Sequence, residues 1–128
     1  MDQDLKGDNE VVLLIEDEPE VLDVTQRSIK GLGYQVVTAM NGEEALSAWE
    51  SDHKIDVVIT DIVLPGGMSG FDIAQELTNR DADIKILFVS GYTPENLTLR
   101  EDYRDVEILQ KPFRRADLAL KLKTLLRS

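Results

Sequence analysis

The sequence has no cysteine and a single histidine among its 128 residues. Disulfide bonds, thiolate zinc sites and histidine metal clusters are therefore excluded, and the lack of cysteine suits a reducing compartment, so we expect a cytoplasmic protein. Basic residues are also few, with 14 Lys and Arg against 25 Asp and Glu, a formal net charge of -11. This charge opposes the attraction to phosphate backbones on which nucleic-acid binding relies, so direct binding to DNA or RNA is not expected.

Long apolar runs are missing too. No stretch approaches the length that spans a bilayer, and the polar, acidic start does not have the basic segment and apolar core of a secretory signal. We therefore expect no membrane contact. The length, with 42% hydrophobic and 30% charged residues, fits one domain with one core. We predict a flexible acidic tail over residues 1–10 and a single folded domain over residues 11–128.

What is present is an alternation of strand-like and helix-like segments, which predicts an α/β domain with a parallel sheet. Three of the strands are nearly continuous Val, Ile and Leu, as expected for strands covered on both faces. The predicted strands are Val11 to Ile15, Gln35 to Ala39, Asp56 to Thr60, Lys85 to Val89 and Val106 to Gln110.

Between these strands lie segments whose apolar residues recur at helical spacing, which predicts helices there. The first helix has Pro19 just ahead of it, and the second is announced by Asn41-Gly42. The third and the last are predicted at about Phe71 to Asn79 and about Arg114 to Leu126. The segment Thr93 to Asp105 lacks a sustained apolar face, so we expect only a short or poorly ordered helix there.

Charged residues stand at the ends of three predicted strands. Glu16 and Asp17 follow the first strand, Asp61 follows the third and Lys111 follows the fifth. Neighbouring parallel strands would bring these residues into one crevice at the carboxyl ends of the sheet. Clustered carboxylates repel one another unless a cation joins them, so the cluster implies a metal ion.

With these residues at the ends of successive strands, the chain closely resembles a response-regulator receiver domain of two-component signalling. The resemblance runs from about Val11 to Leu126 and adds Ser90 after the fourth strand and Pro112-Phe113 after Lys111. It implies a doubly wound, flavodoxin-like fold with a five-stranded parallel sheet in the order 2-1-3-4-5. About five helices would flank that sheet on both faces. Residues 11–128 would then be the receiver domain.

The resemblance also implies a role for each residue of the site. Asp61 would be the phosphoacceptor and a ligand of Mg²⁺ or Mn²⁺, Asp17 a direct ligand, and Glu16 a ligand either directly or through water. The Val63 backbone carbonyl would complete the protein's share of the metal site. Lys111 would pair with Asp61 at rest and with a phosphoryl oxygen afterwards, and Ser90 would supply a hydroxyl.

The implied partners are a histidine kinase or a histidine phosphotransfer protein as phosphodonor, and a downstream protein or a second copy of the chain as output. The chain ends soon after the last predicted helix, so we expect its effect to be exerted through a partner. Leu120, roughly opposite the buried stripe of that helix and beside basic residues, is the predicted docking point. We expect a switch that promotes its own phosphorylation rather than a turnover enzyme.

Two departures from the usual receiver pattern affect mechanism. Ile108 stands three positions before the lysine, where many receivers carry Tyr or Phe, so a switch based on ring rotation is in doubt. Bulky Val63 and Tyr92 flank the acceptor and supply no carboxylate or amide to orient water, which favours slow self-dephosphorylation.

Other classes of function are weaker. A receiver-like module that takes no phosphate would be expected to lack part of the acid, serine and lysine set. A flavin-binding domain would want a hydroxyl- and glycine-rich loop where Glu16-Asp17-Glu18 stands. An aspartyl-phosphate hydrolase would normally carry a second acid at position 63, which is Val63. The sequence does not distinguish a stand-alone receiver from a piece of a hybrid kinase.

Overall fold

A computed structural model describes residues 7–51, 54–91 and 107–127. From residue 11 to residue 90 strands and helices alternate along the chain, as predicted. The five strands are β1 Val11–Ile15, β2 Gln35–Ala39, β3 Val57–Asp61, β4 Lys85–Ser90 and β5 Glu107–Gln110. The four helices within the same ranges are α1 Pro19–Gly31, α2 Gly42–Glu50, α3 Gly70–Arg80 and α4 Arg115–Arg127.

All five strands form one parallel sheet in the order β2-β1-β3-β4-β5. The predicted strand order is therefore confirmed. The register aligns the carboxyl ends, because Ile15 lies opposite Thr60, Asp61 opposite Val89 and Ser90 opposite Gln110. The residues that follow these strand ends consequently meet at one edge of the sheet, at the point where the strand order reverses between β1 and β3.

Both faces of the sheet are covered. On β1, Val12 and Leu14 enter a cluster with residues of α1 and α4, while Leu13 and Ile15 enter a second cluster with residues of α2 and α3. All four side chains are at most 2% exposed. Adjacent strand residues point to opposite faces, so burial on both sides requires the continuous apolar run that β1 shows.

The helix starts follow from local hydrogen bonding. Asn41 caps α2 by accepting a hydrogen bond from the Glu44 amide at 2.8 Å. Ser69 and Asp72 form a reciprocal capping box at the start of α3, with contacts of 2.9 and 3.1 Å. Pro19 was predicted just ahead of the first helix, whereas it is the first residue of α1, where its missing N–H costs nothing.

Strand ends differ slightly from the prediction. The third strand was predicted to end at Thr60 and the fourth at Val89, but Asp61 and Ser90 each pair with the neighbouring strand and so belong to the sheet. Two predictions, the short helix within Thr93 to Asp105 and a fifth strand beginning at Val106, involve positions outside the described residues. None of the helices in the described part of the chain has the length and apolarity that crossing a membrane requires.

Residues 7–10 pack against the turn between α1 and β2. The Gly7 and Asn9 amides donate to the carbonyls of Leu32 and Gly33, and the Glu10 carbonyl accepts from the Gln35 amide. Gly7 approaches the Tyr34 ring so closely that a Cβ at position 7 would overlap it. The domain boundary placed at residue 11 stays a prediction, and these contacts describe the four residues before it.

Candidate functional site

Three carboxylates converge at the carboxyl edge of the sheet. One oxygen from each of Glu16, Asp17 and Asp61 lies within 4.8 Å of the other two. Glu16 and Asp17 follow β1 directly, and Asp61 is the last residue of the adjacent strand β3. The sequence predicted that these acids lie together if their strands are parallel neighbours, and the structure brings them together.

Lys111 lies between two of these acids. Its Nζ donates to Glu16 Oε1 at 2.7 Å and to Asp61 Oδ2 at 2.9 Å. The lysine reaches this position because its backbone N–H continues the sheet ladder, donating to the Ser90 carbonyl at 2.7 Å. The resting contact with Asp61 that the resemblance implied is present, and the shorter contact with Glu16 was not foreseen.

For both Glu16 and Lys111, burial and the neighbouring opposite charge shift the pKa in opposite directions. Burial raises the pKa of Glu16 above its ordinary value, and the Lys111 ammonium only partly offsets that rise. For Lys111, burial acts to lower the pKa, but the hydrogen bonds and charges of Glu16 and Asp61 outweigh it and the pKa is raised. Lys111 is therefore a firmly charged ammonium at neutral pH.

The remaining members of the predicted set lie around this cluster. Ser90 ends β4 with only 1% of its surface exposed. The Val63 amide donates to Asp61 Oδ1 at 3.3 Å, and Val63 is 55% exposed beside Asp61. Tyr92, predicted to cover the site from the other side, is outside the described residues.

Gly70, which was not among the predicted site residues, joins the two ends of the loop that follows Asp61. The Gly70 amide donates to the Ile62 carbonyl at 2.8 Å, and a Cβ on Gly70 would overlap the Asp61 carbonyl oxygen. The helix that begins at Gly70 thus rests directly on the backbone of Asp61. The signal was available in the Ser69-Gly70-Phe71 sequence, where a poor helix former opens a helix.

The donor set suits a divalent cation. Three carboxylates against one ammonium leave two negative charges uncompensated (three minus one), and carboxylate oxygens are the ligands that Mg²⁺ and Mn²⁺ prefer. Within the described ranges, no hydrogen bond or ion pair to another side chain is assigned to the Asp17 carboxylate, which leaves its oxygens accessible to an ion. Asp17 and Asp61 are the residues best placed to hold such an ion directly.

A parallel α/β domain with this acidic edge and a lysine between the acids defines a class of signalling domain. The chain belongs to the response regulator receiver domain family, whose model matches residues 12–123. Among curated proteins, the response regulator SaeR of Staphylococcus aureus is 32% identical over 120 residues. That alignment covers 90% of this chain and 50% of SaeR, so the chain spans about half the length of the curated relatives it matches.

Solved structures agree. The response regulator TrrA of Thermotoga maritima, determined in complex with Mg²⁺ and BeF, is 33% identical with a TM-score of 0.79, and the match covers 91% of this chain and 99% of TrrA. The receiver domain of the hybrid histidine kinase CckA is 31% identical with a TM-score of 0.74, over 91% of this chain and 98% of that one. The chain is thus a receiver domain of the kind found in response regulators of two-component systems.

Proposed function

We propose that this chain is a phosphorylatable switch: Asp61 accepts a phosphoryl group from a phosphohistidine on a partner protein in a Mg²⁺-dependent reaction. The observation that carries the proposal is the convergence of Glu16, Asp17 and Asp61 around the Lys111 ammonium. Either a histidine kinase or a histidine phosphotransfer protein would serve as donor. The setting we propose is the cytoplasm, and the chain would not act as a turnover enzyme.

The chemistry is a single transfer. An Asp61 oxygen forms the new P–O bond as the P–N bond to histidine breaks, and the electron pair of that bond stays on the leaving imidazole. Attacker and phosphoryl group are both negative, so a divalent ion, when bound, screens their repulsion. Lys111 Nζ already lies 2.9 Å from Asp61 Oδ2 and can pair with a phosphoryl oxygen once the group has arrived.

Intact mass after incubation with Mg²⁺ and a small phosphodonor tests the proposal. The unmodified chain should gain one phosphate-sized increment, and Asp61→Asn should gain none. Asp23→Asn is the matched control, because Asp23 is half-exposed on α1 in an ion pair with Arg27 and should leave the gain intact. A gain in Asp61→Asn equal to that of the unmodified chain would assign the phosphate to another residue, and no gain in any variant would favour the inert module.

The output is proposed to pass through the surface around Leu120, to a downstream protein or a second copy of the chain. Leu120 is 58% exposed on α4, whereas Leu118 and Leu122 of the same helix are buried. Beside it, Lys121 Nζ contacts Glu107 Oε2 at 2.8 Å, so one cation of the predicted basic patch is already paired. An isolated exposed leucine next to charged groups fits a small apolar contact with a polar rim.

Leu120→Glu should therefore abolish partner binding or dimerisation of the phosphorylated chain. Val24→Glu provides the control when both variants are phosphorylated with a small phosphodonor, because Val24 is 63% exposed but lies on α1. Binding of Leu120→Glu at the affinity of the unmodified chain would exclude this surface.

A further inference from the structure

Thr60 is the polar residue among the four positions of β3 that precede Asp61. Val57, Val58 and Ile59 are apolar, and all four residues are 0% exposed. A parallel strand covered on both faces ordinarily carries apolar side chains throughout, and threonine differs from valine by its hydroxyl. That hydroxyl donates to the Asp61 carbonyl oxygen at 2.9 Å. The buried hydroxyl of Thr60 therefore binds the backbone of the proposed phosphoacceptor.

The Asp61 carbonyl oxygen is also the point at which α3 meets β3. A Cβ on Gly70 would overlap this oxygen, and the Gly70 amide donates to the next carbonyl, that of Ile62, at 2.8 Å. The peptide group between Asp61 and Ile62 is thus held by the Thr60 hydroxyl and by the packing of α3. Because a peptide group is planar, fixing its carbonyl oxygen limits the rotation of the backbone on both sides of it.

The orientation of this peptide group bears on the Asp61 carboxylate. The Val63 amide donates to Asp61 Oδ1 at 3.3 Å, and Lys111 Nζ donates to Asp61 Oδ2 at 2.9 Å. The Val63 donor is two residues after Asp61, so rotation of the intervening backbone moves it relative to Oδ1. This contact is long for an N–H···O hydrogen bond, and a small further displacement weakens it. The direction of the carboxylate therefore depends on the backbone that Thr60 holds.

We propose that Thr60 is a positioning residue for the phosphoryl transfer. It acts through the backbone: its hydroxyl fixes the peptide group after Asp61 and thereby the direction in which the attacking carboxylate oxygen points. An in-line displacement depends on that direction, since misplacing a reacting atom by about 1 Å can cost about a hundredfold in rate. This inference rests on the proposed function, because it concerns the residue that would accept the phosphoryl group.

Removing the hydroxyl and then restoring it tests the inference. Phosphate uptake from a small phosphodonor is followed by intact mass over a range of donor concentrations at saturating Mg²⁺. Thr60→Val should lower the limiting rate about tenfold and leave the half-saturating donor concentration within about twofold, because only the direction of attack changes. Thr60→Ser keeps the hydroxyl, so its limiting rate should stay within about threefold of that of the unmodified chain.

Thr124→Val is the matched control. The Thr124 hydroxyl also donates to a backbone carbonyl, that of Leu120 at 2.8 Å, but it lies on α4. Its loss should leave the limiting rate within about twofold of that of the unmodified chain. Urea unfolding of every variant establishes that the folded state predominates, so a lower rate is not a loss of folded protein. A folded Thr60→Val with the unmodified rate, or a Thr60→Ser as slow as Thr60→Val, would overturn the inference and leave the proposed function standing.

The Val63 amide reports the positioning without phosphate. Its proton resonance should move upfield in Thr60→Val, because the contact with Asp61 Oδ1 lengthens, and should return close to its unmodified position in Thr60→Ser. An unmoved resonance in Thr60→Val overturns the inference alone. Absence of phosphate uptake by the unmodified chain overturns the proposed function instead, and the Val63 resonance then still establishes whether Thr60 orients this backbone.

A measurement on the unmodified chain replaces Thr60→Val if that variant does not fold. A buried, donating hydroxyl proton exchanges slowly with water, so the Thr60 hydroxyl should give a resonance of its own. Thr78, which is exposed on α3, supplies the reference for a hydroxyl in rapid exchange. A Thr60 hydroxyl proton that exchanges as fast as that of Thr78 would overturn the inference.

Discussion

Replacing Gly70 by alanine should damage both the stability of the domain and its acceptor site. A Cβ at position 70 would overlap the Asp61 carbonyl oxygen and lie 3.0 Å from the Asp61 carbonyl carbon and the Ile62 Cα. These are backbone atoms of β3 and the turn after it, so they cannot rotate away as a side chain could. The start of α3 must move instead, and the Gly70 to Ile62 hydrogen bond is strained or lost.

The size of the stability loss in Gly70→Ala follows from these contacts. Overpacking costs about 1–3 kcal/mol, and loss of one backbone hydrogen bond adds about 1 kcal/mol. The better helix propensity of alanine returns at most about 1 kcal/mol, and less at the first position of a helix. We expect a net loss of about 2–3 kcal/mol, which lowers the urea midpoint by about 1–2 M for typical denaturant slopes.

Urea unfolding followed by circular dichroism measures this loss, with Gly31→Ala as the control. At position 31 the new Cβ would meet only the tip of the Arg115 side chain, with Nη2 at 2.5 Å, and that tip can move. The stability of Gly31→Ala should stay within about 1 kcal/mol of the unmodified chain. Equal midpoints for Gly70→Ala and the unmodified chain would refute the reasoning that α3 rests directly on the acceptor backbone.

Three further predictions concern other parts of the molecule. Tyr34 is 4% exposed, and its hydroxyl has no hydrogen-bond partner within the structure described, so Tyr34→Phe should stabilise the domain by about 1 kcal/mol in thermal or urea unfolding. Burial, with a smaller effect of the Glu10 charge, raises the pKa of Tyr34 to about 12 in the folded state, so the folded chain retains the proton longer than the unfolded chain. The contribution of this pKa difference to the free energy of unfolding is complete below pH about 10 and is lost as the pH rises to about 12, a fall of about 2–3 kcal/mol. Tyr34→Phe should not show this fall. Val63→Gln should shorten the lifetime of the phosphorylated chain severalfold, because a carboxamide beside Asp61 can orient water, and unchanged decay of the phosphate-shifted mass would contradict this. Val24→Asp should slow phosphoryl transfer from a phosphohistidine protein and leave uptake from a small phosphodonor unchanged. Val24 lines an apolar groove of about 440 Å³ that also reaches Lys111, and the phosphohistidine protein would dock there. Equal slowing with both donors would count against docking in this groove.

The sequence pattern predicted the parallel sheet because strands buried on both faces need apolar runs that are easy to see, whereas the strand order came from the family resemblance. The bounds of β1 and β2 match the prediction: Glu10 and Glu16 flank the apolar run of β1, and the turn residues Gly33 and Asn41 lie two positions outside β2. The third strand was predicted at Asp56 to Thr60 with Asp61 following it, whereas β3 lies one residue later, at Val57–Asp61. Asp61 belongs to β3 because its backbone pairs opposite Val89, a tertiary contact that local preference does not contain.

The site was predictable as a set of residues but not as a set of contacts. Parallel strands in a known order bring Glu16, Asp61 and Lys111 to one edge whatever their side chains do. Which of these acids the lysine contacts depends on how the side chains pack in the folded domain, and the spacing of residues along the chain does not contain that. The role of Gly70 was hidden for the same reason, because the close approach is to a residue nine positions earlier in the chain.

Ile108 bears on how a change at the site reaches the surface. Ile108 lies opposite Phe88 in the sheet and packs against a cluster of Ile62, Phe71, Ala74 and Phe88. Two members of this cluster are tied to the site through the backbone, because Ile62 follows Asp61 and Phe88 shares a strand face with Ser90. The Phe71 and Phe88 rings lie 4.7 Å apart at 55°, which joins α3 to β4. The side chains packed against Ile108 are thus continuous with the backbone at Asp61 and Ser90, and an aliphatic residue fills the position where many receivers carry an aromatic ring.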